Sequence, residues 1–196
     1  MERLIDALTD ESLRVKRSAV CANRSRLIAA ADRVARCLDD GGKLLLFGNG
    51  GSAADAQHIA AELVNRFRIE RLPLAALALT TDTSIITSIG NDYHFDEIFS
   101  KQVRALGREG DVAIGITTSG RSPNVLKAVA AARELGIYTV GFTGRGGPLA
   151  DAVHLALRVP SSVTARIQET HGFYGHLLCE MIDRIRYPEA FVEPQP

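Results

Sequence analysis

A histidine and a glutamate lie four residues apart in a segment with helical spacing. His58 and Glu62 would therefore project from one face of a helix, about one turn apart. An imidazole and a carboxylate in this arrangement can move protons on a bound substrate or hold a metal ion together. The same spacing is common in solvent-exposed helical pairs, so its meaning depends on what the fold brings beside it.

A glycine-rich turn precedes this helix. Residues 48–54 read Gly-Asn-Gly-Gly-Ser-Ala-Ala and follow a short apolar run at residues 43–47. Glycines allow a ligand to approach the backbone closely, and the free amides at a helix start attract anions. Ser52 and Asp55 have the spacing of a capped helix start. Because the turn lacks the third glycine of a dinucleotide fingerprint and the lysine of a Walker loop, it does not indicate a nucleotide.

A second polar loop follows a later apolar run. Its residues are Thr117, Thr118, Ser119, Gly120, Arg121 and Ser122, directly before Pro123. The sequence predicts a helix start with Ser122 as N-cap and Pro123 at the first position. Capping leaves the other hydroxyls unexplained, whereas a phosphate would use them, with Arg121 as a possible counter-charge. Two such loops fit a small sugar phosphate better than a nucleotide.

Short apolar segments alternate with helical ones through most of the chain. The predicted strands are residues 44–47, 73–79, 111–116, 137–142 and 153–159. The predicted helices between and after them are residues 52–67, 82–89, 96–106, 123–135, a short one after residue 148, and 164–186. This alternation predicts an α/β fold, a doubly wound, five-stranded parallel sheet of flavodoxin-like layout. Both polar loops would meet at the carboxyl ends of its strands, where such sheets bind ligands.

The chain divides into three parts. We expect an N-terminal helical arm at residues 1–40, an α/β domain at residues 41–188 and a C-terminal tail at residues 189–196. The arm would be one long helix or two shorter ones with a break near residues 19–23. Because a lone helix has little core of its own, its apolar face must pack on the following domain or on another subunit.

Composition excludes several classes of partner. Lys plus Arg and Asp plus Glu both number 23, so no overall basic field attracts nucleic acid. No apolar run approaches the roughly 20 residues of a membrane span, and the N-terminus lacks the order of a secretory signal. Three distant cysteines, Cys21, Cys37 and Cys179, fit buried thiols in a reducing compartment. We therefore expect a cytoplasmic protein without a membrane or nucleic-acid partner.

Several separated motifs resemble those of the sugar isomerase (SIS) superfamily and, within it, the phosphoheptose isomerases. The motifs are residues 48–52, His58 with Glu62, residues 80–82, Asn91 with Asp92, residues 118–124, and residues 165–169 through His176. The resemblance extends to about Ile185. It implies an SIS fold and an aldose-ketose isomerase that converts sedoheptulose 7-phosphate to D-glycero-D-manno-heptose 7-phosphate through an enediol. It also implies a homotetramer with packed arms that serves bacterial heptose biosynthesis, for lipopolysaccharide core or surface polysaccharide.

The resemblance also implies roles for individual residues. It implies one zinc ion per subunit on His58, Glu62, Gln168 and His176, with Glu62 as catalytic base and His176 as its acid/base partner. The implied substrate contacts are Asn49, Gly50, Gly51, Ser52, Glu62, Asn91, Asp92, Thr117, Thr118, Ser119, Ser122 and Gln168. Gln168 and His176 are roughly 80° apart on a regular helix, and His171 is a competing ligand that we expect to be structural. His94 and His154 have no supporting motif.

Both the substrate preference and the activity have alternatives. The family's usual loop has serine and asparagine where this chain has Thr117 and Arg121, which puts the substrate preference in question. A non-catalytic relative that binds the bacterial replication initiator is also similar, but it lacks counterparts of Glu62 and His176. A sugar-phosphate sensor would keep the two loops without needing the acid/base pair.

Overall fold

Five parallel strands form one sheet in the computed structural model, which describes residues 1–191. The strands are β1 (Leu44–Gly48), β2 (Ala76–Ala78), β3 (Val112–Ile116), β4 (Tyr138–Thr143) and β5 (Leu155–Arg158), in the order β2-β1-β3-β4-β5. Every neighbouring pair is parallel. The predicted doubly wound α/β fold is therefore confirmed, and the strand order reverses beside β1.

Helices cover both faces of this sheet. They are α1 (Glu2–Asp39), α2 (Gly51–Val64), α3 (Thr83–Asp92), α4 (Ser100–Leu106), α5 (Pro123–Glu134), α6 (Pro148–Ala152) and α7 (Thr164–Arg186). Two 3₁₀ turns lie at Phe95–Glu97 and Pro188–Phe191. The last helix has the predicted bounds, whereas α2 ends earlier than expected and β2 is much shorter. Of the expected tail, residues 192–196 lie outside the described residues.

The central strands are apolar on both sides because both faces are buried. Leu44 and Leu46 of β1 pack into one core cluster with α1, α2 and α7. Leu45 and Phe47 point the other way, into a second cluster with α4 and α5. Within residues 1–191, none of the helices combines the length and apolarity that crossing a membrane requires.

The N-terminal arm is one continuous helix of 38 residues. Of the two expected alternatives, the single long helix is the one that forms, and residues 19–23 continue it because the Asn23 side chain is fully hydrogen-bonded. Its Nδ2 donates to the carbonyls of Ala19 at 2.7 Å and Arg158 at 2.8 Å, and the hydroxyl oxygen of Tyr174 lies 3.0 Å from the same nitrogen. A polar residue in the helix interior thus fastens α1 to β5 and α7 rather than ending the helix.

The apolar residues of α1 are only partly buried. Leu27, Val34 and Leu38 lie in the core, but Leu13 and Ile28 are more than half exposed. The cysteines divide in the same way. Cys37 and Cys179 are buried, whereas Cys21 on α1 is exposed, and none of the three is in a disulfide.

Candidate active site

The glycine turn between β1 and α2 differs in detail from the predicted capped start. Helix α2 begins at Gly51 with Gly50 as its N-cap, and no side chain caps it. Ser52 instead lies buried inside the first turn. Gly51 allows Gln168 of α7 to approach the turn closely, because a Cβ at Gly51 would lie 2.5 Å from Nε2 of Gln168. The turn therefore receives a side chain from the last helix.

Three of the predicted zinc ligands converge between α2 and α7. Nε2 of His58 lies 2.8 Å from Nε2 of His176 and 3.5 Å from Oε1 of Glu62. The donor atoms of the three residues all lie within 4.8 Å of one another. The His176 ring also stacks on Phe67, with 5.4 Å between ring centroids. Two imidazoles and a carboxylate so arranged can hold a divalent metal such as zinc.

Close packing of α2 on α7 brings these residues together. Gly175, next to His176, faces Ile59, next to His58, and a Cβ at Gly175 would lie 2.7 Å from Cγ1 of Ile59. A larger residue would therefore force the helices apart at the point where His58 meets His176.

A buried ion pair holds the C-terminal end of α2 to α7. Nε of Arg71 lies 2.7 Å from Oδ1 of Asp183, and both side chains are 1% exposed. The same guanidinium donates to the carbonyls of Leu63 at 2.9 Å and Glu62 at 3.0 Å, which have no partner within the helix. No spacing or motif in the sequence indicates this role for Arg71.

The hydroxyl-rich loop after β3 encloses a cavity of about 130 Å³. Ser122 is the N-cap residue as predicted, but its side chain makes no capping bond. Its hydroxyl lies 2.9 Å from that of Thr117, which is also 3.3 Å from that of Ser119. The residues that line the cavity are Asn49, Ser52, Ile116, Thr117, Thr118, Ser119, Ser122 and Gln168. The structure thus brings most of the expected substrate contacts together.

A reciprocal amide pair joins the two loops. Asn49 donates to Oδ1 of Asn124 at 2.9 Å, and Asn124 donates back to Oδ1 of Asn49 at 2.8 Å. Asn124 is only 2% exposed, and its Oδ1 also accepts from the backbone amide of Val125. Asn124 lies in the loop motif at residues 118–124, but its hydrogen bonds with Asn49 could not be derived from the sequence.

Two expected substrate contacts lie elsewhere. Asn91 and Asp92 occupy the exposed end of α3, where the Asn91 amide donates to Oδ1 of Asp92 at 2.9 Å. Neither residue lines the cavity of the hydroxyl loop. Their contact with substrate stays a prediction.

The remaining histidines and Asp55 differ in their surroundings. His171 is fully buried, with Nε2 3.3 Å from the carbonyl of Thr143, and burial lowers its pKa to about 4. It lies in the core, as expected of a structural residue. His154 accepts a hydrogen bond from the backbone amide of Thr139, and burial lowers its pKa.

Asp55 lies one turn before His58 on α2. Its Oδ2 is buried without a hydrogen-bond partner, and burial raises its pKa to about 6 although His58 opposes the shift.

The fold and the two loops place the chain in a known class. Residues 9–144 match the family model of the SIS domain, so this is an SIS-domain protein. Within that class, the chain belongs to the phosphoheptose isomerases, a family of enzymes. It is 52% identical to the phosphoheptose isomerase of Solidesulfovibrio magneticus, over 99% of this chain and 95% of that protein. It is 56% identical to that of Aquifex aeolicus, over 89% of this chain and 92% of that protein.

Solved structures of the same family match as well. The phosphoheptose isomerase of Neisseria gonorrhoeae has a TM-score of 0.88 and 49% identity, covering 93% of this chain and 98% of its own. That of Francisella tularensis has a TM-score of 0.89 and 42% identity, covering 93% of this chain and 97% of its own. The rival interpretation as an initiator-binding relative receives no support from these similarities.

Proposed function

We propose that this chain interconverts sedoheptulose 7-phosphate and D-glycero-D-manno-heptose 7-phosphate. The observation that carries the proposal is the convergence of Glu62, His58 and His176 on α2 and α7, the two helices that also contribute Ser52 and Gln168 to the hydroxyl-lined cavity. An acid/base group and an anion-binding loop are what a sugar-phosphate isomerase needs in one place.

The substrate phosphate would bind in the loop of Thr117, Thr118, Ser119 and Ser122. Their hydroxyls can donate to phosphate oxygens, and the start of α5 adds the favourable dipole of a helix N-terminus. The Ser122 hydroxyl makes no capping bond and pairs with the hydroxyl of Thr117, so both hydroxyls can turn toward a ligand together. The Asn49–Asn124 pair would hold the first loop in register with the phosphate, so the sugar extends toward Gln168 and the acid/base group.

The reaction would proceed by moving one carbon-bound proton. Glu62 takes the proton from C1 of the ketose while the carbonyl oxygen at C2 receives a proton from His176, which gives an enediol. The hydroxyl at C1 then returns its proton to His176, and Glu62 delivers its proton to C2. The product is the aldose, and both residues end in their starting protonation states.

The residues present fit a zinc ion. His58, Glu62 and His176 would hold it, with the Gln168 amide as the expected fourth ligand. When bound, zinc would polarise the substrate oxygens and stabilise negative charge on them. Since one imidazole nitrogen cannot hold a metal and a proton together, His176 would hold zinc through Nε2 and carry its exchangeable proton on Nδ1.

The proposal extends to assembly and pathway. The exposed position of Asn91 and Asp92 supports a site completed by a neighbouring subunit of the expected homotetramer, whose arms would pack together. The heptose phosphate would enter bacterial heptose biosynthesis, as the motif resemblance implies.

The experiment is an isomerase assay on purified protein with zinc added. We expect interconversion of the two seven-carbon sugar phosphates, and slower conversion of six-carbon sugar phosphates tested beside them. Faster turnover of a six-carbon substrate would overturn the substrate assignment alone. A protein that binds the heptose phosphate without converting it would be a sensor rather than an enzyme.

A further inference from the structure

A second and larger cavity lies beside the hydroxyl loop. It has a volume of about 350 Å³, and two arginines, Arg121 and Arg145, line it. The other lining residues are Thr118, Ser119, Gly146, Gly147, Ser161, Ser162, Thr164 and Ile167. We propose that this outer cavity is a second anion site, which binds a phosphate monoester of sugar size.

The charge around the outer cavity is of one sign. No carboxylate lines it, and Arg145 also lines an adjoining cavity of about 450 Å³ together with Arg26 and Arg158. Within residues 1–191, the side chains of Arg121 and Arg145 make no hydrogen bond or ion pair. Arg158 reaches Asp151 only at 3.6 Å, with both side chains at least half exposed. Arg121 and Arg145 therefore lack a counter-ion within the described residues, and a bound anion would neutralise their charge.

The loop itself separates the outer cavity from the proposed substrate cavity. Thr118 and Ser119 line both spaces, whereas Arg121 lines only the outer one. The backbone fixes this wall, because the amide of Gly144 donates to the carbonyl of Thr118 at 3.1 Å and that of Leu149 to the carbonyl of Gly120 at 3.0 Å. Arg121 is therefore placed to attract an anion other than the phosphate held by Thr117 and Ser122.

The lining chemistry indicates the class of ligand. Guanidinium groups bind phosphate through paired hydrogen bonds, and their charge persists at every physiological pH. Ser161, Ser162 and Thr164 add hydroxyls that can bond sugar hydroxyls. A volume of about 350 Å³ is within the range of small-molecule sites. These features together favour a phosphorylated sugar over a bare inorganic ion.

Equilibrium dialysis with radiolabelled inorganic phosphate at low ionic strength tests the proposal without requiring turnover. We expect two phosphates per chain in the wild type. Arg145→Gln should weaken one of them about tenfold or more, since a charge-assisted hydrogen bond is lost. Thr117→Val should remove the other one. Arg24→Gln, which removes the same charge from an exposed position lining neither cavity, should keep both.

The Thr117→Val variant isolates the outer cavity for ligand competition. In that variant, D-glucose 6-phosphate should displace the labelled phosphate, and glucose should not. One phosphate per chain in the wild type, lost in both Arg145→Gln and Thr117→Val, would overturn the proposal because it shows a single shared site. Two phosphates retained by the double variant Arg121→Gln/Arg145→Gln would also overturn it.

Discussion

His171 shows how burial controls a titratable residue close to the proposed site. It was expected to be structural, and it is fully buried beside Phe142 with Nδ1 lacking a hydrogen-bond partner. Burial disfavours the charged imidazole, so its pKa falls to about 4. The unfolded chain therefore binds more protons than the folded one between about pH 4 and about pH 6.5.

The free energy of unfolding should consequently depend on His171 in that window. Above about pH 6.5 the contribution of His171 to the free energy of unfolding is present in full. As the pH falls toward 4, the unfolded chain binds the proton first, and the free energy of unfolding falls by about 3 kcal/mol. Denaturant unfolding of the wild type and His171→Gln between pH 4 and 7 measures it. We expect the difference between the two proteins to vary with pH. Parallel curves for wild type and His171→Gln would contradict this interpretation.

Ser122 allows a separate test at the level of one hydroxyl. Because it makes no capping bond, its removal should leave the stability of α5 nearly unchanged. If it binds the substrate phosphate, Ser122→Ala should raise KM about tenfold with a smaller change in kcat, since that hydrogen bond is made in the ground state and the transition state alike. Ser18→Ala, at an exposed position of α1, is the matched control. An unchanged KM would remove Ser122 from the site.

Helices α2 and α7 determine the geometry of His58, Glu62 and His176, the proposed acid/base and zinc-binding residues. Gly175→Ala should improve the intrinsic helix propensity of α7 by about 1 kcal/mol, but its Cβ would meet Ile59 at 2.7 Å. We expect the clash to separate His58 from His176 and to weaken zinc binding, measured by competition with a chelator. The double variant Gly175→Ala/Ile59→Ala, which removes the clashing Cγ1, should recover part of the affinity. Unchanged zinc affinity in Gly175→Ala would contradict the helix-contact argument.

The buried Arg71–Asp183 pair should contribute to the stability of the fold. Arg71→Leu leaves Asp183 buried without its counter-charge and should reduce the free energy of unfolding by about 3 to 5 kcal/mol. The Arg68–Glu180 pair also reaches α7, but Arg68 is 63% exposed, so Arg68→Leu should cost less than about 1 kcal/mol. Chemical denaturation compares the two variants. Equal effects would show that the buried pair has no special role.

Periodicity and turn chemistry explain why the elements were predictable and some contacts were not. The buried strands and α7 have strong local patterns, so their order and the sheet layout follow from the sequence. The motifs of the resemblance identified His58, Glu62 and His176, which are 118 residues apart at their extremes and meet only in the fold. No local pattern in the sequence predicts that Asn23 forms hydrogen bonds with β5, that Asn124 pairs with Asn49 or that Arg71 pairs with Asp183. Such long-range polar contacts depend on the packed structure.

At the scale of the whole molecule, the N-terminal end of α1 leaves apolar surface uncovered. Leu4, Ile5 and Leu8 are 46% to 62% exposed in the single chain. Leu4 and Leu8 lie one turn apart on the same helix face, as an interface between subunits requires. This arrangement supports the expectation that the arms pack together.

Sedimentation analysis tests that expectation. The wild type should sediment as a tetramer, and Leu4→Glu/Leu8→Glu should shift the distribution toward smaller species because it places charge in the contact. Arg17→Glu, at an exposed position on the same helix, is the control for a change of charge. A monomeric wild type, or an unchanged tetramer in the double variant, would contradict the proposed role of the arm.

The most direct test of the account compares wild type and Glu62→Gln by NMR in D₂O, with sedoheptulose 7-phosphate and zinc. The wild type should form the heptose 7-phosphate and introduce solvent deuterium at C2, since Glu62 exchanges its proton with water between the two transfers. Glu62→Gln should stay folded, with unchanged circular dichroism, and give no turnover. A folded, zinc-loaded wild type that forms no heptose 7-phosphate, or a Glu62→Gln variant as active as the wild type, would contradict the account.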